Sequence, residues 1–338
     1  MPSPILLRVE GLTTVFDVGG RTVPVVRGIS FLIRAAETLA LVGESGSGKS
    51  VTALSLLRLL RPPGRITAGS VHWRARDMAS LDDAALQRIR GGEIGLVPQD
   101  PATALNPVFT VGDQIVETML AHKAATPRAV HGRMLELLDT VRIPQPAQRA
   151  RDYPHQLSGG LRQRVMIALG LAGDPALLIA DEPTTGLDAP TQTRIVDLLR
   201  DLVERRGLAL LIISHDLDVV ASCADQVAVM YAGEIVEQGP ATPVLDAPAH
   251  PYTRGLLASV PGAEPGTALP TIDGVPPAPG VRAPGCAFAP RCPERFDPCE
   301  RLAPTAWPRA LGVTALCHLY DPAAAPPPSA GRPDAKVR

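Results

Sequence analysis

The eight residues GESGSGKS, Gly43 to Ser50, hold three glycines, three serines and a lysine between the strand-like run ETLALV and the helix-like run SVTALSLLRLL. Glycine takes backbone angles closed to other residues, so Gly43, Gly46 and Gly48 allow the N–H groups of this loop, with those of Glu44, Ser45 and Ser47, to turn inward on one anion. The helix that begins with Lys49, Ser50 and Val51 adds the partial positive charge of its N-terminus. Lys49 is placed to reach β- and γ-phosphates and the Ser50 hydroxyl to ligate Mg²⁺, which completes G-x-x-x-x-G-K-[ST]. Such a loop specifies a nucleoside triphosphate but not what is done with it.

Four further stretches narrow the chemistry. In ALLIADEPTTGLD an apolar strand runs into Asp181 and Glu182, and a buried strand that ends in two carboxylates is costly unless they meet a cation. Asp181 suits Mg²⁺ held through water, and Glu182 suits polarisation of an attacking water. ALLIISHD delivers His215 at the end of another apolar strand, able to donate to a γ-phosphate. GLVPQDP brings Gln99 to a strand end, a neutral group that can touch both Mg²⁺ and water. Finally, YPHQLSGGLRQRV sets Ser158, Gly159 and Gly160 at the mouth of a helix. One nucleotide needs one phosphate loop, so this surplus helix start is expected to close on a nucleotide held by a second subunit.

These residues need a parallel α/β core that brings strand ends and helix starts to one edge. With 338 residues the chain is long enough for one large core and a small second one. Helix-like patterns such as HGRMLELLDTVRI place a mainly helical insert from about residue 100 to 175. Thirty-three basic residues nearly cancel 34 acidic ones, which gives no global attraction to nucleic acid. No apolar run approaches the roughly 18 to 20 residues that span a bilayer, and MPSPILLRVE lacks the apolar core of a signal peptide. A cytosolic chain, at most peripheral to a membrane, is expected. Seventeen of 36 prolines follow Val260, so a boundary is placed there, followed by an irregular domain over 261–320 and a disordered tail over 321–338.

Taken in order, these motifs resemble the ATP-binding-cassette ATPases: phosphate loop, Gln99, signature Leu157 to Gly160, Asp181 and Glu182, TGLD at Thr185 to Asp188, and His215. The resemblance covers about residues 5 to 260 and implies a P-loop NTPase cassette, with a RecA-like core, an antiparallel β subdomain and an α-helical subdomain. It also implies that Phe16 stacks on adenine and that Asp188, at the end of TGLD, is among the nucleotide-binding residues. Ala36 stands where a glycine is often found, and Gly186 where alanine is usual. Within the family, QDPATALNPVFTVGDQI, Leu161 and HPYTRGLLASVP resemble the ATP-binding subunits of oligopeptide and dipeptide importers, with nickel importers sharing these features. That implies ATP hydrolysis at the cytoplasmic face of the cell membrane, in an assembly with a second ATPase, two transmembrane permease subunits and an extracytoplasmic solute-binding protein. A heterodimer is expected over a homodimer. Import of nickel or another solute is the alternative, followed by a soluble cassette acting on ribosomes or DNA.

The C-terminal cysteines Cys286, Cys292, Cys299 and Cys317 are spaced C-x5-C-x6-C-x17-C in a proline-rich segment. Four thiolates suit Zn²⁺ or an iron-sulfur cluster, and a segment with little apolar surface gains a crosslink from either. The spacing by itself favours zinc; the resemblance to peptide-importer ATPases shifts the expectation to a 4Fe-4S cluster.

Overall fold

The computed structural model describes residues 3–260, 271–278, 280 and 284–324. The expected tail over 321–338 lies outside these residues from 325 onward, as does the stretch 261–270 just past the expected boundary.

The chain opens with two long strands, β1 (Ile5–Val18) and β2 (Arg21–Arg34), then β3 (Thr38–Val42), which leads into helix α1 (Lys49–Leu56). Strands β4 (Gly64–Trp73) and β5 (Arg76–Asp77) and helix α2 (Asp83–Ile89) precede β6 (Ile94–Val97). A helical stretch follows: α3 (Pro101–Ala104), α4 (Val111–Ala121), α5 (Val130–Thr140), α6 (Pro146–Arg149) and α7 (Gly159–Leu171). The chain then alternates through β7 (Leu177–Asp181), α8 (Ala189–Arg206), β8 (Ala209–Ser214), α9 (Leu217–Cys223) and the hairpin β9 (Gln226–Tyr231) and β10 (Glu234–Pro240). Helices α10 (Ala241–Asp246) and α11 (Pro251–Ala258) come next, then α12 (Pro298–Arg301) and strands β11 (Ala306–Pro308) and β12 (Thr314–Leu316).

Two sheets result. β2-β1-β4-β5 is antiparallel, and the larger sheet runs β11-β12-β10-β9-β3-β8-β7-β6. Its centre is parallel, with β3 between β8 and β9 and β7 between β6 and β8. Every residue of β3, β7 and β8 is buried, as expected for strands covered on both faces. Alternate residues serve different cores. Leu39, Leu41, Leu177, Ile179, Leu211 and Ile213 pack toward the antiparallel sheet. Ala40, Val42, Leu178, Ala180, Leu210 and Ile212 face the helices on the other side. The period of two thus sandwiches one sheet between two apolar layers.

The segment after residue 260 joins this core. β12 pairs with the hairpin strand β10, with Ala315 opposite Glu237, and Phe288, Val313 and Ala315 belong to the helix-side core. Phe288 meets Tyr231 and Tyr252 edge-on, with ring centroids 5.2 and 5.3 Å apart. In a chain with 3% aromatic residues, this cluster concentrates rigid apolar area where proline rules out long elements.

The turn at α11 is built on a buried polar chain. The Glu237 carboxylate accepts the N–H groups of Ala249 (2.7 Å) and His250 (2.9 Å), and His250 Nδ1 accepts the Tyr252 N–H (3.0 Å) as the helix cap. Nδ1 must stay unprotonated to accept, and burial pushes the His250 pKa down to about 3. The folded state therefore refuses a proton that the unfolded chain takes up below pH 6.5, and stability is lost as pH falls from there toward 3. His250→Asn is expected to remove up to about 1.4 kcal/mol per pH unit from the acid slope of unfolding free energy. Denaturant melts between pH 7 and 4.5 check it; parallel slopes for the two proteins contradict it.

Candidate functional site

β3 ends at Val42 and the chain turns at once through Gly43, whose φ is 148°. A Cβ there would stand 2.2 Å from the Met230 carbonyl oxygen, so only glycine lets the loop pass β9 this closely. Gly48 (φ 105°) starts α1, and a Cβ there would lie 2.8 Å from Val25 O. Lys49 is 5% exposed, and its Nζ donates to the carbonyls of Gly43 (2.7 Å) and Glu44 (3.0 Å). Burial lowers its pKa while the charges of Glu182 and Asp181 oppose that shift. Ser45 and Gly46 are exposed at the loop tip, the Ser47 hydroxyl is buried with no hydrogen-bond partner among the described residues, and Val51 packs on the core.

Ser50 Oγ donates to Asp181 Oδ1 at 3.1 Å, joining the start of α1 to the end of β7. Burial is the largest influence on the Asp181 carboxyl and pushes its pKa up; the Ser50 hydrogen bond opposes it. A desolvated carboxylate beside a hydroxyl oxygen fits Mg²⁺, which takes oxygen ligands and keeps several waters.

Glu182 lies beyond the strand end. Its φ is 48°, a left-handed conformation that costs a non-glycine residue roughly 1–2 kcal/mol. Its N–H donates to Ile213 O at 2.9 Å, which anchors the turn to β8. Three groups converge on Oε2: Gln99 Nε2 (3.1 Å), Thr185 Oγ1 (2.9 Å) and His215 Nδ1 (3.4 Å). His215 is 56% exposed and faces solvent on its other side. The ends of β6, β7 and β8 thus bring Gln99, Asp181, Glu182 and His215 to the same edge as the loop after β3, where parallel α/β sheets collect ligands.

The remaining sequence-derived residues form other groups. Ser158 caps α7, its Oγ accepting the Leu161 N–H at 3.4 Å, and both Ser158 and Gly159 are exposed. A Cβ on Gly159 or Gly160 would meet Leu187 at 3.4 Å or Thr191 at 2.6 Å, so the signature start packs on the start of α8. Asp188 caps that helix, accepting the Thr191 N–H and hydroxyl at 3.0 Å each; these bonds hold its carboxyl below the usual range. Phe16 on β1 covers Gly64, where a Cβ would stand 2.8 Å from the ring. Ala36 has φ 55° and Gly186 φ 76°: alanine occupies a left-handed turn that suits glycine, and glycine one that disfavours alanine.

The expected 4Fe-4S cluster, with its zinc alternative, on Cys286, Cys292, Cys299 and Cys317 is overturned. Among the described residues no group of three or more His, Cys, Asp or Glu side chains comes together to hold a metal. The four thiols border a void of about 10 Å³, room for a single water at most. Burial raises the Cys286 thiol and pushes Cys292 and Cys317 up to about 12, so they sit as neutral, apolar-packed groups. The crosslink assigned to a metal is supplied by pairing of β12 with β10 and by packing of Phe288.

Three contact residues carry no local signal of their partners in the sequence: Thr185 in TGLD, Tyr252 in HPYTRGLL and Arg291 between Cys286 and Cys292. Arg291 donates from both terminal nitrogens to the Glu44 carboxylate, at 2.7 and 3.0 Å, and the Glu44 N–H donates to Tyr252 Oη at 2.9 Å.

Comparison with known proteins agrees with this geometry. Residues 26–185 match the ABC transporter family model, and residues 236–299 match that of the oligopeptide/dipeptide transporter C-terminal region. The chain is 45% identical to a dipeptide transport ATP-binding protein of Bacillus subtilis, over 94% of its own length and 95% of the relative's. It is 49% identical to a Brucella melitensis protein named for peptide import ATP binding, over 88% and 90% of the two chains. Among solved structures, the dimeric structure of a bacterial ABC transporter cassette aligns with a TM-score of 0.63 at 28% identity, covering 70% of this chain and 99% of that one. The same cassette bound to ADP and Pi in a post-hydrolysis state aligns equally well. The fold is that of a P-loop ATPase cassette. The chain belongs to the ATP-binding proteins of the ABC transporter family and carries the oligopeptide/dipeptide-type C-terminal region.

Asp181 is a charge kept out of water, so its removal is expected to stabilise the nucleotide-free protein. Asp181→Asn should raise the unfolding free energy by about 1 kcal/mol at pH 7, while the further stabilisation that Mg²⁺ and ATP give the wild type disappears. Thermal melts with and without Mg-ATP check both; a less stable variant that still responds to Mg-ATP contradicts them.

Proposed function

We propose that the chain is the ATP-hydrolysing subunit of a bacterial peptide importer. The convergence of Gln99, Thr185 and His215 on one oxygen of Glu182, beside the Ser50–Asp181 pair, is the observation that carries the catalytic half of this reading. The names of its relatives and the C-terminal region support the transported class.

In this reading the loop Gly43 to Ser50 cradles the triphosphate, Lys49 leaves its two carbonyl partners for the β- and γ-phosphates, and Phe16 stacks on adenine. Ser50, Asp181 and Gln99 would hold Mg²⁺, whose charge would offset that of the phosphates. Glu182 takes the proton of the attacking water through Oε2, whose aim is set by Gln99 and Thr185. The water oxygen bonds to the γ-phosphorus, the bond to the β-phosphate oxygen breaks, and ADP and phosphate result. His215 donates to the γ-phosphate, where negative charge must be held in place.

Ser158 and Gly159, exposed at the start of α7, close with Gly160 on the nucleotide of a second ATPase, from a helix start packed on the helix that Asp188 caps. A different chain is the favoured partner over a second copy. Closure of the two cassettes moves two permease subunits between access states, with an extracytoplasmic solute-binding protein delivering the peptide. Permease docking falls on the helical stretch α3 to α7, where Val108 and Phe109 are 70% and 49% exposed in the loop beyond Gln99. Among the described residues no helix is long and apolar enough to cross a membrane, in keeping with a subunit docked on the membrane's cytoplasmic face.

Glu182→Gln is expected to bind ATP within about twofold of wild type and to lower turnover by about 10²–10³-fold, since the general base alone is removed. Lys49→Ala removes binding instead. Filter binding and phosphate release separate the two; near-normal turnover in Glu182→Gln takes that residue out of the mechanism. Ser158→Arg in one subunit of the assembled transporter should silence the site built on the partner's phosphate loop and spare its own, and the reverse pattern contradicts the trans assignment. For the transported class, uptake of a labelled dipeptide should disappear in cells whose chain carries Lys49→Ala; undiminished uptake, with loss of another solute's, excludes peptides.

A further inference from the structure

Glu44 is held on three sides. Its carbonyl accepts from Lys49 Nζ (3.0 Å), its N–H donates to Tyr252 Oη (2.9 Å) and its carboxylate receives the fork of Arg291 (2.7 and 3.0 Å). The last two partners come from the chain's C-terminal part, Arg291 from 247 residues away. The Arg291 side chain is 4% exposed. It is fixed by donation to the backbone carbonyls of Asp273 (3.0 Å) and Ile272 (3.2 Å), and it lies over the Tyr231 ring. Tyr252 is anchored in turn by the Glu237–His250 chain under α11.

Glu44 is the only acidic residue of the phosphate loop. Unpaired, its carboxylate would stand beside a triphosphate, where like charges repel strongly in a partly buried site. Paired in a two-pronged, charge-assisted bond, it is neutralised and its direction is set. The loop's glycines give it no stiffness of their own, so the N–H groups that face the phosphates depend on outside contacts for their arrangement.

We propose that Arg291 and Tyr252 are positioning residues of the ATP site, by which the C-terminal segment clamps the phosphate-binding loop at Glu44 and sets its affinity for ATP. The inference rests on the loop being the ATP site. It gives the segment a role in nucleotide binding that needs no metal: β12 on β10 and the Phe288 cluster hold the segment, and the segment holds the loop.

The test is a double-mutant cycle on the full chain, read as ATP affinity in the presence of Mg²⁺ and as KM and kcat for hydrolysis. Arg291→Met should weaken ATP binding and raise KM by about tenfold with kcat changed less than about threefold, because it strands the Glu44 charge beside the phosphates. Arg291→Lys, which keeps the charge but not the fork, should lose about threefold. Adding Glu44→Gln to Arg291→Met should restore affinity to within about threefold of wild type, the sign expected of a compensated charge. The clamp is overturned if Arg291→Met and Arg291→Lys both bind ATP within twofold of wild type, if Glu44→Gln adds to the Arg291→Met defect instead of relieving it, or if kcat falls with KM unchanged. Should Arg291→Met fail to fold, Arg291→Lys and the double variant decide by the same criteria. Lys49→Ala, run alongside, must lose ATP binding; if it does not, the site assignment has failed, and not the clamp.

Discussion

The structure turns on a carboxylate that ends a buried strand. Asp181 closes β7 with apolar layers on both sides, and its hydrogen bond to Ser50 joins that strand to the start of α1. Keeping such a group out of water is unfavourable, and a fold tolerates it where a cation is to arrive. Its neighbour Glu182 carries a second cost, a left-handed backbone held by the Ile213 carbonyl. Strain of this kind persists where surrounding structure over-determines it. Here three completely buried parallel strands do so, fixing the height at which Ser50, Asp181, Glu182 and His215 emerge.

The same sheet carries the C-terminal segment. β10 pairs on one side with β9 and on the other with β12, so the last described strands continue the layer that begins at the phosphate loop. The Gly43 backbone passes β9 at a distance only glycine allows, and Tyr231 at the end of β9 meets both Tyr252 and Phe288. A rearrangement of the C-terminal segment would therefore be felt at the loop through packing as well as through the Arg291–Glu44 pair.

Much of this was legible in the sequence, because the informative residues are those whose chemistry depends on type and local spacing. The loop Gly43 to Ser50, the strand ends at Asp181 and His215 and the helical stretch beyond Gln99 are local patterns, and each fell on the element that its spacing requires. What could not be read were long-range contacts. Nothing near Arg291 indicates that it reaches Glu44, and nothing near Thr185 indicates that it shares Glu182 Oε2 with Gln99. The cysteines misled for a related reason. Their spacing and the prolines around them suggested a segment too poor in apolar surface to hold itself. The missing partner surface, β10 with the aromatic pair Tyr231 and Tyr252, lies elsewhere in the chain, and the cysteine segment packs against it.

In the proposed reading the buried strand ends, the exposed signature start at α7 and the loop held at Glu44 belong to one subunit of a coupled machine, whose hydrolysis should respond to events across a membrane. The most direct measurement is the ATP hydrolysis rate of this chain, assembled with its co-purifying ATPase and permease subunits in proteoliposomes, as solute-binding protein loaded with peptide is added. The account predicts a rate that rises severalfold and saturates with peptide-loaded binding protein, with little change when the same binding protein is empty. A rate indifferent to the peptide, or one raised only by ribosomes or DNA, would contradict it.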